Sequence, residues 1–214
     1  MNRFFLTLLT FVCSLNIQAQ LLDSLSEDKE YTNLEEALKN PDKVYRLNLS
    51  NQTLSYLPKE ITKFKNLRYL NLHGDHLQMI PKEISRLQNL RVLDLSGNDF
   101  MILPSSFSKL KNLEVLYLGE NQYLDLKKDF KILGKLTQLR ELHLEGDSIK
   151  QLPNNIKDLR SLEKLYLKDN HLTHFPHQIK SLKNLKYLNV KDNSLPPLEI
   201  EEFQYLAPNI KIEF

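Results

Sequence analysis

Seven times along the chain, apolar residues return to the same places in a unit of 23 residues, and a unit that short cannot enclose a core alone. Position 1 is Val44, Leu67, Leu90, Leu113, Leu139, Leu162 and Leu185, at spacings of 23, 23, 23, 26, 23 and 23 residues. Position 4 is Leu47, Leu70, Leu93, Leu116, Leu142, Leu165 and Leu188, and position 6 is Leu49, Leu72, Leu95, Leu118, Leu144, Leu167 and Val190. The second half of the unit is as regular. An apolar residue and Pro stand at positions 14 and 15 in Leu57-Pro58, Ile80-Pro81, Leu103-Pro104, Leu152-Pro153 and Phe175-Pro176. A further apolar pair follows at positions 18 and 21, as in Ile84 and Leu87. Such units must stack, each burying its apolar side on the next.

The pattern contains one polar residue where burial is expected. Position 9 reads Gln52, Asp75, Asn98, Asn121, Asp147, Asn170 and Asn193. A short strand around positions 3 to 5 pairs with its neighbours in a parallel sheet, and the chain then turns away, leaving backbone groups without partners. An amide side chain both donates and accepts, so asparagine can satisfy those groups and link one turn of the coil to the next. Gly74, Gly97, Gly119 and Gly146 stand just before this position, where a tight turn is required.

The LxxLxLxxN core with its LPxxIxxL continuation, from Val44 to about Leu198, resembles the leucine-rich repeat family, in the short 23-residue form found in many bacterial members. The resemblance implies an α/β solenoid: a curved horseshoe with a parallel sheet on the concave face and short helical or extended segments on the convex side. It also implies protein binding, with no particular partner.

The ends depart from the repeat. Residues 1–19 read as a signal peptide: Arg3, an apolar run from Phe4 to Leu15, then Ile17 and Ala19 at the −3 and −1 positions, with cleavage before Gln20. The run is too short to span a bilayer, which takes roughly 20 residues. The single cysteine, Cys13, lies in this leader, so the mature chain has no disulfide. Residues 20–43 are expected to form a helical cap, starting at Asn33 or Thr32 with Glu36 or Glu35 closing a capping box. Residues 199–214 are expected to close the other end, with Ile210, Ile212 and Phe214 alternating in a last edge strand. Residues 44–198 carry 24 bases and 16 acids, whereas 21–43 and 199–214 are both acidic. Acidic ends would oppose end-to-end stacking, and a monomer is expected. The fourth unit carries three additional residues and lacks the Pro, which reads as a longer helical segment on the convex side.

No catalytic constellation or phosphate-binding loop is visible, so the chain reads as non-enzymatic, with no cofactor. His171, His174 and His177, and His73 with His76, are close in sequence, but Pro176 breaks any shared helical face and solvated turns explain them better than a metal. Two surfaces are better candidates. Positions 3 and 5 point away from the core because positions 4 and 6 point into it. Tyr117, His143 and Tyr166 then form a row with Glu141, Lys164 and Tyr187 alongside, Tyr69 stands at position 3 of the same surface, and tyrosine favours protein contacts. Along one flank, positions 19 to 22 align Lys63, Lys65, Arg86, Lys109, Lys111, Lys135, Lys157, Arg160, Lys180 and Lys183, with Asp158 the only acid among them. That stripe suits a polyanion or an anionic surface. A formal net charge of +2 does not argue for nucleic acid. The expected function is an exported protein-binding module, engaging a host or cell-surface protein through the concave face. The alternative is a polyanion binder acting through the flank.

Overall fold

The computed structural model describes residues 28–214, so the leader and the start of the N-terminal segment lie outside the described residues. Among the described residues nine strands form one parallel sheet in chain order, from β1 (Glu30–Tyr31) to β9 (Lys211–Glu213). The seven strands between them, β2 (Arg46–Asn48), β3 (Tyr69–Asn71), β4 (Val92–Asp94), β5 (Val115–Tyr117), β6 (Glu141–His143), β7 (Lys164–Tyr166) and β8 (Tyr187–Asn189), occupy positions 3 to 5 of the seven units. Their register follows the repeat, with Leu93 beside Leu116 and Leu116 beside Leu142. The three additional residues of unit four are therefore absorbed after its strand.

The apolar positions form one continuous core. Leu90, Leu93, Leu95, Phe107 and Leu110 are fully buried, as are their counterparts in neighbouring coils. A side chain of this kind contributes about 1.5–3 kcal/mol by leaving water. After each Pro the chain makes a 3-10 turn, as at Lys82–Arg86 and Ser105–Lys109, which buries position 18 and presents positions 19, 20 and 22 outward, while position 21 returns to the core. Pro suits the residue before each turn because its fixed φ directs the chain there and no N–H is needed.

Asparagine at position 9 does what burial requires. Asn98 is 4% exposed. Its Nδ2 donates to the carbonyls of Leu72, Leu95 and Ser96 at 2.8, 3.0 and 3.1 Å, and its Oδ1 accepts from Leu77 N–H at 2.9 Å. Its own N–H donates to Asn121 Oδ1, Asn121 N–H to Asp147 Oδ1, and Asp147 N–H to Asn170 Oδ1. A ladder therefore runs from coil to coil. Gln52 departs from it: its side chain is turned outward to the Thr32 carbonyl, and Asp75 is the first buried rung. The residue before each rung is left-handed in every unit: Asn51, Gly74, Gly97, Glu120, Gly146, Asp169 and Asp192 all have φ between 55° and 69°.

At the N-terminal end, α1 (Leu34–Ala37) starts at Asn33, whose side chain accepts from Glu36 N–H, and it buries Ala37. In unit four α2 (Leu126–Leu133) replaces the 3-10 turn; Asp125 caps it, and Phe130 and Leu133 enter the core. After β8 comes α3 (Pro197–Leu206), which buries Ile200 and Phe203, the latter packed on Phe175 with ring centroids 4.1 Å apart.

Candidate functional site

Parallel pairing in register places Tyr117 beside His143 and His143 beside Tyr166. Strand spacing then brings the rings into a stack. Tyr117 and His143 have centroids 4.1 Å apart, His143 and Tyr166 4.0 Å apart at 8° between planes, and Tyr187 tilts against Tyr166 at 5.1 Å. The expected row exists, and Tyr187 joins it from the neighbouring position. Tyr69 stands apart, its ring under the Arg46 guanidinium at 4.3 Å. Between the two groups Val92 and Val115 are covered by Tyr69 and Tyr117.

Glu141 organises the polar half. It is buried, and its Oε1 meets His143 Nε2 and its Oε2 meets Lys164 Nζ, both at 3.0 Å. The Tyr166 hydroxyl also bonds to this carboxylate. The other imidazole nitrogen, Nδ1, lies 3.0 Å from Glu145 Oε1. Burial disfavours charge on Glu141, but its bonds with His143 and Lys164 outweigh that and hold it down at about 2. Burial likewise opposes charge on His143, yet the two carboxylates raise it above its ordinary value. Desolvation, reinforced by the Glu141 charge, pushes Tyr117 up to about 12 and raises Tyr166 as well. These shifts favour uncharged phenols and the cationic form of the imidazole. Side chains of Glu141 and His143 are only 10% and 12% exposed, so the arrangement is held rigid by its own contacts before any ligand arrives.

Glu145 escaped the sequence reading. It lies at position 7, beyond the strand, and only the turn of the chain brings it back to His143. The ion pairs of position 2 were missed too: Arg140–Glu163 at 2.6 Å and Lys186–Glu163 at 2.7 Å border the aromatic row. Charge alternation at that position, Arg140, Glu163, Lys186, was the available signal.

Lys63, Lys65, Arg86, Lys109, Lys111, Lys135, Lys157, Arg160, Lys180 and Lys183 are all exposed. Lys111 donates to the Lys135 carbonyl, and Lys180 lies over the Phe203 ring at 5.9 Å. The histidine groups are dispersed into separate contacts: His73 with Ser96, His76 with Asp99 and His174 with Glu199. Among the described residues no group of three or more His, Cys, Asp and Glu side chains could hold a metal ion. Nor does any described helix have the length and apolarity to cross a membrane.

The fold and the repeat define a leucine-rich repeat protein. The family model described as a leucine-rich repeat region matches residues 43–128 and 115–208, and the chain belongs to that family. A search of curated proteins returns no match. Among solved structures, a leucine-rich repeat protein of Leptospira interrogans is similar at 31% identity and a TM-score of 0.58, over 86% of this chain and 57% of that one. Internalin C2 of Listeria monocytogenes is similar at 24% identity and a TM-score of 0.61, over 87% of this chain and 76% of its own. The plant peptide hormone receptor RGFR1, solved in complex with RGF2, matches at 25% identity and a TM-score of 0.55, over 86% of this chain and 30% of the receptor. The chain thus spans little more than half of the Leptospira protein.

Proposed function

We propose that this chain is an exported, non-enzymatic protein-binding module that engages a host or cell-surface protein through the concave face of units four to seven. The observation that carries the reading is the stack of Tyr117, His143 and Tyr166, tied through Glu141 to Lys164 and flanked by Tyr187. A rigid aromatic platform loses little side-chain entropy on binding, which is what a contact hot spot needs. The membership of the family and the receptor–peptide complex among its structural neighbours support the same reading. In this proposal residues 1–19 are removed, 20–43 and 199–214 cap the solenoid of 44–198, and the mature chain is a monomer.

The test begins with capture of partners on the mature chain and amino-terminal mass spectrometry of exported material, which should start at Gln20. Tyr117→Ala combined with Tyr166→Ala should then weaken binding of the captured protein by at least about tenfold, the scale of a disrupted hot spot. Lys109→Glu with Lys135→Glu should change affinity little. The opposite ranking, with steep loss of affinity in salt, would select the second reading: a polyanion held along the flank, whose ten cations are all exposed.

A further inference from the structure

Unit four is three residues longer than its neighbours, and a longer coil cannot lie flush on the next. At three junctions the N–H of position 10 donates to the position-11 carbonyl of the preceding coil: Asp99 to Leu77, His171 to Ile149 and Ser194 to Leu172, at 3.0, 2.9 and 3.0 Å. Between coils three and four Asp125 N–H reaches the Met101 carbonyl instead, at 3.0 Å. Between coils one and two Gln78 N–H reaches the Ser55 carbonyl, at 3.2 Å, but between coils four and five neither the Ser148 N–H nor the Tyr123 carbonyl has a hydrogen-bond partner among the described residues, and no neighbouring main-chain bond replaces theirs. A cleft of about 660 Å³ lies there, beyond the asparagine ladder and away from the stacked rings.

Its lining is amphipathic in a particular way. Half-buried Leu124 and Leu126 supply aliphatic surface on one side, above the buried Ile149 and Leu152. Lys127, Lys131 and Lys150 stand exposed around it, and none forms an ion pair among the described residues. The only carboxylate in the lining is Asp147, which is buried in the ladder. Asn155 ties the coils together at one end, its Nδ2 donating to the Lys127 carbonyl at 2.8 Å, while its Oδ1 is buried without a partner.

We infer that this cleft takes a short extended segment of a partner protein that carries an aliphatic side chain next to an acidic one. The aliphatic group covers Leu124 and Leu126, the carboxylate sits among the three lysines, and peptide groups meet the unpaired main-chain groups. Charge complementarity selects an acidic partner over a basic one. A simple amphiphilic carboxylate would use the floor and the lysines but leave the main-chain groups unused. A sulfated polysaccharide would use the lysines and leave the apolar floor bare. The cleft is distinct from the concave platform, and the inference does not rest on that reading.

The test is a titration of the isotope-labelled chain with acetyl-Leu-Glu-Leu-Asp-Leu-amide, followed by amide chemical shifts. Shifts should concentrate in residues 122–131 and 148–155. Affinity should fall by at least about tenfold in the exposed charge-reversal variant Lys127→Glu/Lys131→Glu/Lys150→Glu, and by a similar factor for the peptide with Gln and Asn in place of Glu and Asp. Deleting residues 123–125 restores the 23-residue spacing and should close the cleft and abolish binding; if that variant does not fold, the charge-reversal variant decides. The inference is overturned by shifts centred on Tyr117 and Tyr166 or on the flank lysines. Equal affinity for octanoate or a sulfated oligosaccharide, unchanged affinity in the lysine variant, or no binding at about 1 mM peptide would overturn it as well.

Discussion

Asn98 and Asp147 hold the same place in two coils of one ladder, and they complete it differently. Both accept through Oδ1: Asn98 from Leu77 N–H at 2.9 Å, Asp147 from Asn121 N–H at 2.6 Å. The second atom separates them. Asn98 Nδ2 donates to three carbonyls, and Asn170 Nδ2 repeats this with Leu144, Leu167 and Lys168. In Asp147 that atom is an oxygen, buried and without a partner, and Asp75 shows the same defect. Burial therefore pushes the Asp147 carboxyl up to about 7, the backbone bond from Asn121 opposing it, and raises Asp75 too. A protonated aspartic acid has a donor to offer where an ionised one has none. The ladder needs a donor at this point more than it needs an amide.

Three substitutions sharpen that contrast. Asn98→Leu removes a satisfied rung and strands several buried backbone groups at once. It should cost about 3 kcal/mol, the upper end for an unpaired buried polar group, measured by chemical denaturation. Asp147→Asn supplies the missing donor and should stabilise the fold by about 1–2 kcal/mol at pH 8. A loss of stability in that variant would mean that Asp147 has a requirement an amide cannot meet. Glu120→Gly should give the smallest gain, about 1 kcal/mol, because Glu120 takes the left-handed turn, φ 60°, that Gly97 and Gly146 take without strain.

The pH dependence tests the same difference without changing the ladder. Asp147 and Asp129, the latter buried in α2 with Oδ1 accepting from Leu103 N–H, are both pushed up by desolvation to about 7 from an ordinary 3.8. A carboxyl raised on folding contributes stability that is complete below its ordinary value and is lost as pH rises through the folded one. His143, raised on folding by Glu141 and Glu145 against its burial, acts in the same direction. The denaturation midpoint should thus fall between about pH 5 and pH 8. In Asp147→Asn the fall should shrink without vanishing, since Asp129 and His143 remain. An unchanged slope would mean that Asp147 stays ionised across this range.

The strands, the buried leucines, the asparagine rungs and the row of Tyr117, His143 and Tyr166 were all legible, because a 23-residue period and parallel register turn sequence spacing directly into spatial neighbours. Where contacts leave that lattice, legibility stops. β1 at Glu30–Tyr31 has no repeat signature and pairs only because β2 offers an edge. Glu145 reaches His143 through a turn, not through a shared strand position. Asp129 lies in the irregular unit, where no repeat position foretells that it faces Leu103 N–H.

The sequence by itself determined the solenoid, its register and which side chains are inward, since each coil can bury its leucines only on an identical neighbour. The tertiary structure alone decided which buried carboxylates lack a donor, how Glu141 joins an imidazole, a lysine and a phenol, and that the long fourth coil opens a cleft. Those outcomes depend on distances of a few ångströms between groups from different coils, and spacing along the chain does not specify such distances once a unit departs from the repeat.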